Sequence, residues 1–131
     1  MKIIGTGSAH PTCAVTNQML EQFLETTDEW ITERTGIKER CVISSEHLED
    51  MAVHAANKAL EDAGLTAADI DFLICSNVVN EYVTPALSCI IQGKLGAKCP
   101  TVDINAACAG FIYAMDIADD KLKAGKAKNI L

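Results

Sequence analysis

An α/β fold, layered around a largely parallel sheet, is what this sequence predicts, and three observations predict it. Strand-like runs alternate with helix-like runs along the whole chain, the order that sets parallel strands beneath flanking helices. The run 71–79 (DFLICSNVV) is a continuous apolar run rather than an alternating one, as in a strand covered on both faces. The 131 residues are 49% hydrophobic and 22% charged, close to globular averages, which excludes disorder, a collagen-like repeat and a coiled coil.

Taken in order, residues 2–8 (KIIGTGS) read as a short buried strand entering a turn, with Pro11 forbidding its simple continuation. Thr16 is placed to cap a short helix carrying Met19, Leu20, Phe23 and Leu24. Thr26 with Glu29 fits the S/T-x-x-E capping box, so a helix runs from there to about Thr35, stops at Gly36 and holds Trp30 in its first turn. Residues 38–43 (KERCVI) form a strand. Leu48, Met51, Ala52, Ala55, Ala59, Leu60 and Ala63 then recur at helical spacing until Gly64 ends the run. Thr66 begins a second capped turn before the buried strand, and Pro85 opens a helix through Leu95 that Gly96 closes. Residues 101–105 (TVDIN) make another strand. After Ala106 and Ala107 comes Cys108, then a helix with Phe111, Met115, Ala118 and Leu122 on one face, stopped by Gly125; residues 129–131 start a further strand. Neither a repeat nor a linker interrupts the pattern, so one domain, or part of one, is expected.

Eighteen acidic against eleven basic residues give a net charge of -7, which repels a phosphate backbone and argues against nucleic acid as a partner. No apolar run approaches membrane-spanning length and no leader is recognisable, so a cytoplasmic protein with no membrane partner is expected. Cysteines 13, 41, 75, 89, 99 and 108 include no C-x-x-C and are read as reduced thiols, with no metal site. His47 and His54 share a helix face but lack a third ligand. Gly5-x-Gly7 is read as a tight turn rather than a dinucleotide fingerprint, since position 10 is His10. Lysines 121, 123, 126 and 128 sit where a helix dipole favours cations and are left as surface.

The most informative segment for chemistry is 103–111 (DINAACAGF). It sets one thiol at a strand-to-helix junction, where helix N–H groups favour negative charge and small neighbours let a substrate approach. Such a position lowers a thiol's pKa, and the thiolate is the nucleophile. The competing reading is a buried apolar cysteine. In the same way Trp30 fills a core and Arg34 pairs with Glu33 or Glu39, or both face a ligand.

DINAACAGF, with IIGTGSAHP at 3–11 and TTDEWITERTGIKER at 26–40, resembles the motifs of the β-ketoacyl-acyl-carrier-protein synthase III family, in the family's order and across essentially the whole chain. The resemblance implies a thiolase-like layered α/β fold of two similar halves, of which residues 1–131 would be the N-terminal half, a mostly parallel mixed sheet with flanking helices. It implies a decarboxylative Claisen condensation that starts type II fatty-acid synthesis, with Cys108 acylated by acyl-CoA and malonyl-acyl carrier protein as the second substrate. A His and an Asn of the second half would stabilise the developing charge. Trp30 would stack on the CoA adenine, Arg34 would bind its phosphates, and Thr26 would lie at the same wall. Thr84, before the Pro85 helix, would reach the acyl pocket of the other subunit of a homodimer. No cofactor is implied, acyl-CoA being a substrate; acyl carrier protein and a second copy are the implied partners. The runner-up is another thiolase-superfamily synthase of polyketide, quinolone or hydroxymethylglutaryl type, and outside the enzymes a non-catalytic α/β interaction domain.

Overall fold

Four short strands and five helices form along residues 1–131, all of which are described by this computed structural model. They fall into two compact units, one of Ala9–Met51 and one of Met1–Ser8 with Ala52–Leu131, although no linker composition separates them in the sequence.

In the smaller unit β1 (Cys13–Thr16) and β2 (Glu39–Val42) pair antiparallel, from Cys13 opposite Val42 to Thr16 opposite Glu39. Only β2 is foreseen from sequence; β1 lacks an alternating apolar pattern and is a strand because β2 supplies its ladder. Helix α1 (Asn17–Leu20) starts where expected, Thr16 Oγ1 accepting from the Met19 N–H at 3.3 Å, but it ends at Leu20. Phe23 and Leu24 lie beyond it and are exposed. Helix α2 (Asp28–Thr35) is capped by Thr27, one residue later than the capping box suggests, through the Trp30 N–H at 3.1 Å. Thr26 Oγ1 has no partner and the Thr26 N–H, from which Glu29 would accept in such a box, goes to the Leu24 carbonyl at 2.9 Å, so the box does not form; the neighbouring Asp28 N–H goes to Glu21 Oε1 at 2.5 Å. Gly36, at φ +71°, takes the left-handed turn that ends α2.

In the larger unit β3 (Leu73–Ser76) and β4 (Thr101–Ile104) are parallel neighbours, and Ile130 bridges Phe72 on the other side of β3, also parallel. Helix α3 (Leu48–Ala63), which belongs to this unit from Ala52 on, spans the range its apolar spacing predicts. Helices α4 (Leu87–Leu95) and α5 (Gly110–Lys123) pack against both strands. Leu60, Ile70, Leu73, Leu87, Ile91 and Ala118 form the buried core. The strands of this unit are therefore parallel, as the alternation of elements requires, while β1 and β2 form a separate antiparallel sheet rather than part of one mixed sheet.

Two expectations fail here. Residues 2–8 form no strand, and Gly5 and Gly7 do not make a tight turn. A Cβ on Gly5 would strike the Ala59 carbonyl and stand 2.8 Å from Ala63 Cβ, and one on Gly7 would strike the Ala55 carbonyl. These glycines let an extended segment lie directly on α3. The apolar run 71–79 is also a strand only over Leu73–Ser76, because the chain turns away at Asn77.

Candidate active site

Between the end of β4 and the start of α5 the chain passes through a single 3-10 turn, Ala107–Ala109, with Cys108 at its centre. Ala107 has φ +44°, a left-handed conformation that costs a non-glycine residue about 1 kcal/mol. The reversal leaves the Cys108 thiol exposed beside the first turn of α5, where no side chain caps the helix. Gly110 is buried, and a Cβ there would strike Ser76 Oγ and sit 3.8 Å from the Ile104 carbonyl, so only glycine lets α5 begin this close to the ends of both strands. The buried-cysteine alternative does not describe Cys108. It describes Cys99, and in part Cys75.

Burial pushes the Cys75 thiol up, the Asn77 N–H opposing and the Asp103 charge reinforcing it. Burial pushes Cys99 up as well. Cys41 is exposed, and its Sγ lies 3.7 Å from His10 Nδ1.

Asp103, five residues before Cys108, binds the surroundings of this turn together. Its carboxylate accepts from the Leu87 and Ser88 N–H groups at 3.0 and 2.8 Å and from Asn77 Nδ2 at 2.9 Å. Burial opposes its ionisation, but the hydrogen bonds from Ser88, Asn77 and Leu87 outweigh burial and hold the carboxyl below its ordinary range. Asn105 Nδ2 donates to the Val78 carbonyl at 3.3 Å. The loop over residues 77–86 is thus fastened at both ends to the strand that leads to Cys108. Thr84 lies on this loop and is exposed, next to a Val83 whose side chain is entirely in solvent.

On α2, Trp30 and Arg34 are four residues apart and share a face, with the guanidinium carbon 4.5 Å from the indole centroid. Trp30 is 51% exposed, so it fills no core. Arg34 reaches Glu33 only at 3.9 Å with both side chains in solvent, a pairing worth little. Thr26 Oγ1 is out of reach of solvent and has no hydrogen-bond partner; Thr26, Thr27, Leu24, Glu25 and Trp30 line a shallow depression. An open indole face with a guanidinium stacked on it suits a flat base carrying anionic groups.

The structure brings Thr26, Trp30 and Arg34 together in the smaller unit and places Cys108 and Thr84 in the larger. Sequence reasoning missed Asp103 and Asn17, whose side chains bind residues from several elements. A carboxylate inside a strand, and an arginine, Arg40, at the centre of another, were the available signals.

The thiolase N-terminal domain family matches residues 31–131. The chain is similar to the β-ketoacyl-[acyl-carrier-protein] synthase III of Clostridium perfringens (strain SM101 / Type A), 49% identical over 131 residues, which are 99% of this chain and 40% of that protein. Among solved structures it is similar to 3-oxoacyl-[acyl-carrier-protein] synthase III from Aquifex aeolicus VF5, with 47% identity and a TM-score of 0.95 over 98% of this chain and 42% of that one. It is also similar to the priming β-ketosynthase of the R1128 polyketide biosynthetic pathway, with 38% identity and a TM-score of 0.92 over 97% of this chain and 39% of that one. The chain spans about 40% of the length of the curated relatives it matches.

Proposed function

Because the chain belongs to the thiolase family, matched through its N-terminal domain, we propose that it is the N-terminal half of a β-ketoacyl-acyl-carrier-protein synthase III and that Cys108 is the acylated nucleophile. The observation that carries this reading is the exposed Cys108 thiol, raised by the Ala107 reversal beside an uncapped helix start.

In the first half-reaction the Cys108 sulfur attacks the thioester carbonyl of acyl-CoA, the carbon–sulfur bond to CoA breaks, and CoA leaves with the proton that Cys108 gives up. In the second, malonyl-acyl carrier protein loses CO2 and the resulting carbanion attacks the acyl-Cys108 carbonyl. The cysteine sulfur is expelled and a 3-oxoacyl-acyl carrier protein is released. Such a covalent intermediate gives ping-pong kinetics. A His and an Asn beyond these residues would stabilise the enolate-like charge. Trp30 and Arg34 would hold the nucleotide end of acyl-CoA with Thr26 at its wall, and Thr84 would line the acyl pocket of the second subunit of a homodimer. A cytoplasmic place in type II fatty-acid synthesis belongs to this reading; no helix is long and apolar enough to cross a membrane. Acyl-CoA is a substrate, and the reaction needs no cofactor.

A second reading, a priming ketosynthase for polyketide assembly, is favoured by the likeness to the R1128 enzyme. The acceptor carrier protein and the preferred primer distinguish it.

Incubating the full-length protein with acetyl-CoA should add one acetyl group, which peptide mapping places on Cys108. Adding malonyl-acyl carrier protein should discharge it as 3-oxoacyl product, and Cys108→Ser should lower turnover by more than about 10³-fold. Acylation mapped to another residue, or full turnover in the variant, would refute the assignment.

A further inference from the structure

Helix α2 carries the stacked Trp30 and Arg34, yet none of its eight residues is buried. Isolated helices shorter than about 12 residues are marginal in water, and this one has no buried apolar stripe to hold it. Polar contacts fix it instead, and they converge on Asn17, which is 0% exposed. Asn17 Nδ2 donates to Asp28 Oδ1, at the first residue of α2, at 2.7 Å, and to the Ile37 carbonyl, just past its end, at 2.8 Å. A longer contact of 3.4 Å reaches Thr32 Oγ1 in mid-helix, and that hydroxyl bonds Asp28 at 3.3 Å. Asn17 Oδ1 accepts from Arg40 Nη2 of β2 at 2.6 Å, while Arg40 Nη1 donates to the Val15 carbonyl of β1 at 3.0 Å. The Asn17 backbone N–H adds a bond to the Lys38 carbonyl at 3.2 Å.

At about 100° per residue, positions 28 and 32 lie on the face of α2 opposite to positions 30 and 34. The amide grips the back of the helix, near both ends, while the indole and guanidinium face outward. An apolar residue in its place would take the partner from Arg40 Nη2 and from the Ile37 carbonyl and leave Asp28 Oδ1 only its longer bond from Thr32, while Arg40 would keep its bond to the Val15 carbonyl.

We propose that Asn17 is the positioning residue of the nucleotide-binding face: by holding α2 at Asp28 and Ile37 it sets where Trp30 and Arg34 meet the nucleotide end of acyl-CoA. The inference rests on the reading of Trp30 and Arg34 as CoA-binding residues. Its test is the acylation of Cys108 in the full-length protein, measured with acetyl-CoA and with acetyl-pantetheine, which lacks the nucleotide. Asn17→Ala should raise KM for acetyl-CoA by about tenfold or more, with kcat and the KM for acetyl-pantetheine within about twofold of the parent. Combined with Trp30→Ala, it should add little to the loss that Trp30→Ala causes alone, since both act through one face. Should Asn17→Ala not fold, Thr32→Val removes one arm of the network and should give a smaller rise confined to acetyl-CoA. Equal losses on both donors, or no loss on acetyl-CoA, would overturn the positioning role. If Trp30→Ala itself fails to discriminate between the donors, the CoA-binding reading of α2 falls, and that outcome is recognisable separately from the failure of Asn17.

Discussion

Cys75, Cys99 and Cys108 belong to one unit but meet different surroundings, and those surroundings order their reactivity. Only the thiolate is nucleophilic. Burial pushes Cys75 and Cys99 up, and the Asp103 charge adds to this at Cys75 and the Asp71 charge at Cys99. Pulse alkylation of the full-length protein near neutral pH, followed by peptide mapping, should label Cys108 well before either. Cys41, exposed beside His10, is the sharpest competitor. Labelling of Cys75 as early as Cys108 would remove the physical basis for choosing Cys108. Cys108, Trp30 and Arg34 were picked out in the sequence through the motifs that resemble a known family, since their local signals, a thiol among small residues and an i, i+4 pair, left a buried cysteine and a core tryptophan open. Asn17 and Asp103 were not, because their partners lie 11 to 23 and 15 to 26 residues away.

At the scale of the element, helix α4 shows how one unit shares its caps. Its N-cap residue, Ala86, offers no side-chain acceptor, and the carboxylate of Asp103 on β4 takes the Leu87 and Ser88 N–H groups instead. The Asp103 carboxyl titrates below its ordinary 3.8 in the folded protein. Its contribution is therefore fully present above that value and is lost as pH falls through the folded value. Asp103→Ala should weaken the start of α4 by about 1 kcal/mol near neutral pH, the usual cost of losing a cap. Hydrogen exchange at Leu87 and Ser88, corrected for intrinsic rates, should then be roughly fivefold faster than in the parent. The difference should shrink as pH falls through the folded value, which lies below 3.8, where the parent loses its charge. A difference that stays constant with pH would show that the carboxylate charge does not hold α4.

For the whole molecule, the exposed apolar surface of α5 is informative. Phe111, Ile112 and Tyr113 are each more than half exposed, and Ile117 is 37% exposed. Apolar surface gathered on one helix in this way marks an interface. In a chain spanning about 40% of its relatives' length, we expect the remaining sequence to cover it. The 131-residue chain purified alone should then self-associate in light scattering. It should also fail to condense acetyl-CoA with malonyl-acyl carrier protein, since losing even one donor to the developing negative charge typically costs about 10²–10³ in rate. Ordinary turnover by a clean monomer would require a base and an oxyanion site within these residues and would end the half-enzyme reading.

The sequence by itself determined where the helices fall and where α2, α3 and α4 end, though not how far α1 runs or where α2 and α4 begin. Helix α3 follows from apolar spacing alone, and Gly36, Gly64 and Gly96 end α2, α3 and α4 through their positive φ. These are short-range properties, fixed by side chains within a turn or two of each other. Only the tertiary structure decided that Cys13–Thr16 is a strand while residues 2–8 are not, since a strand exists by virtue of a ladder partner distant in sequence. It alone moved the α2 cap from Thr26 to Thr27, the Thr26 N–H going to the Leu24 carbonyl and the Trp30 N–H to Thr27 Oγ1. It alone made Asn17 and Asp103 central, because a polar side chain acquires such a role only when the fold removes water and brings donors and acceptors from several elements to it.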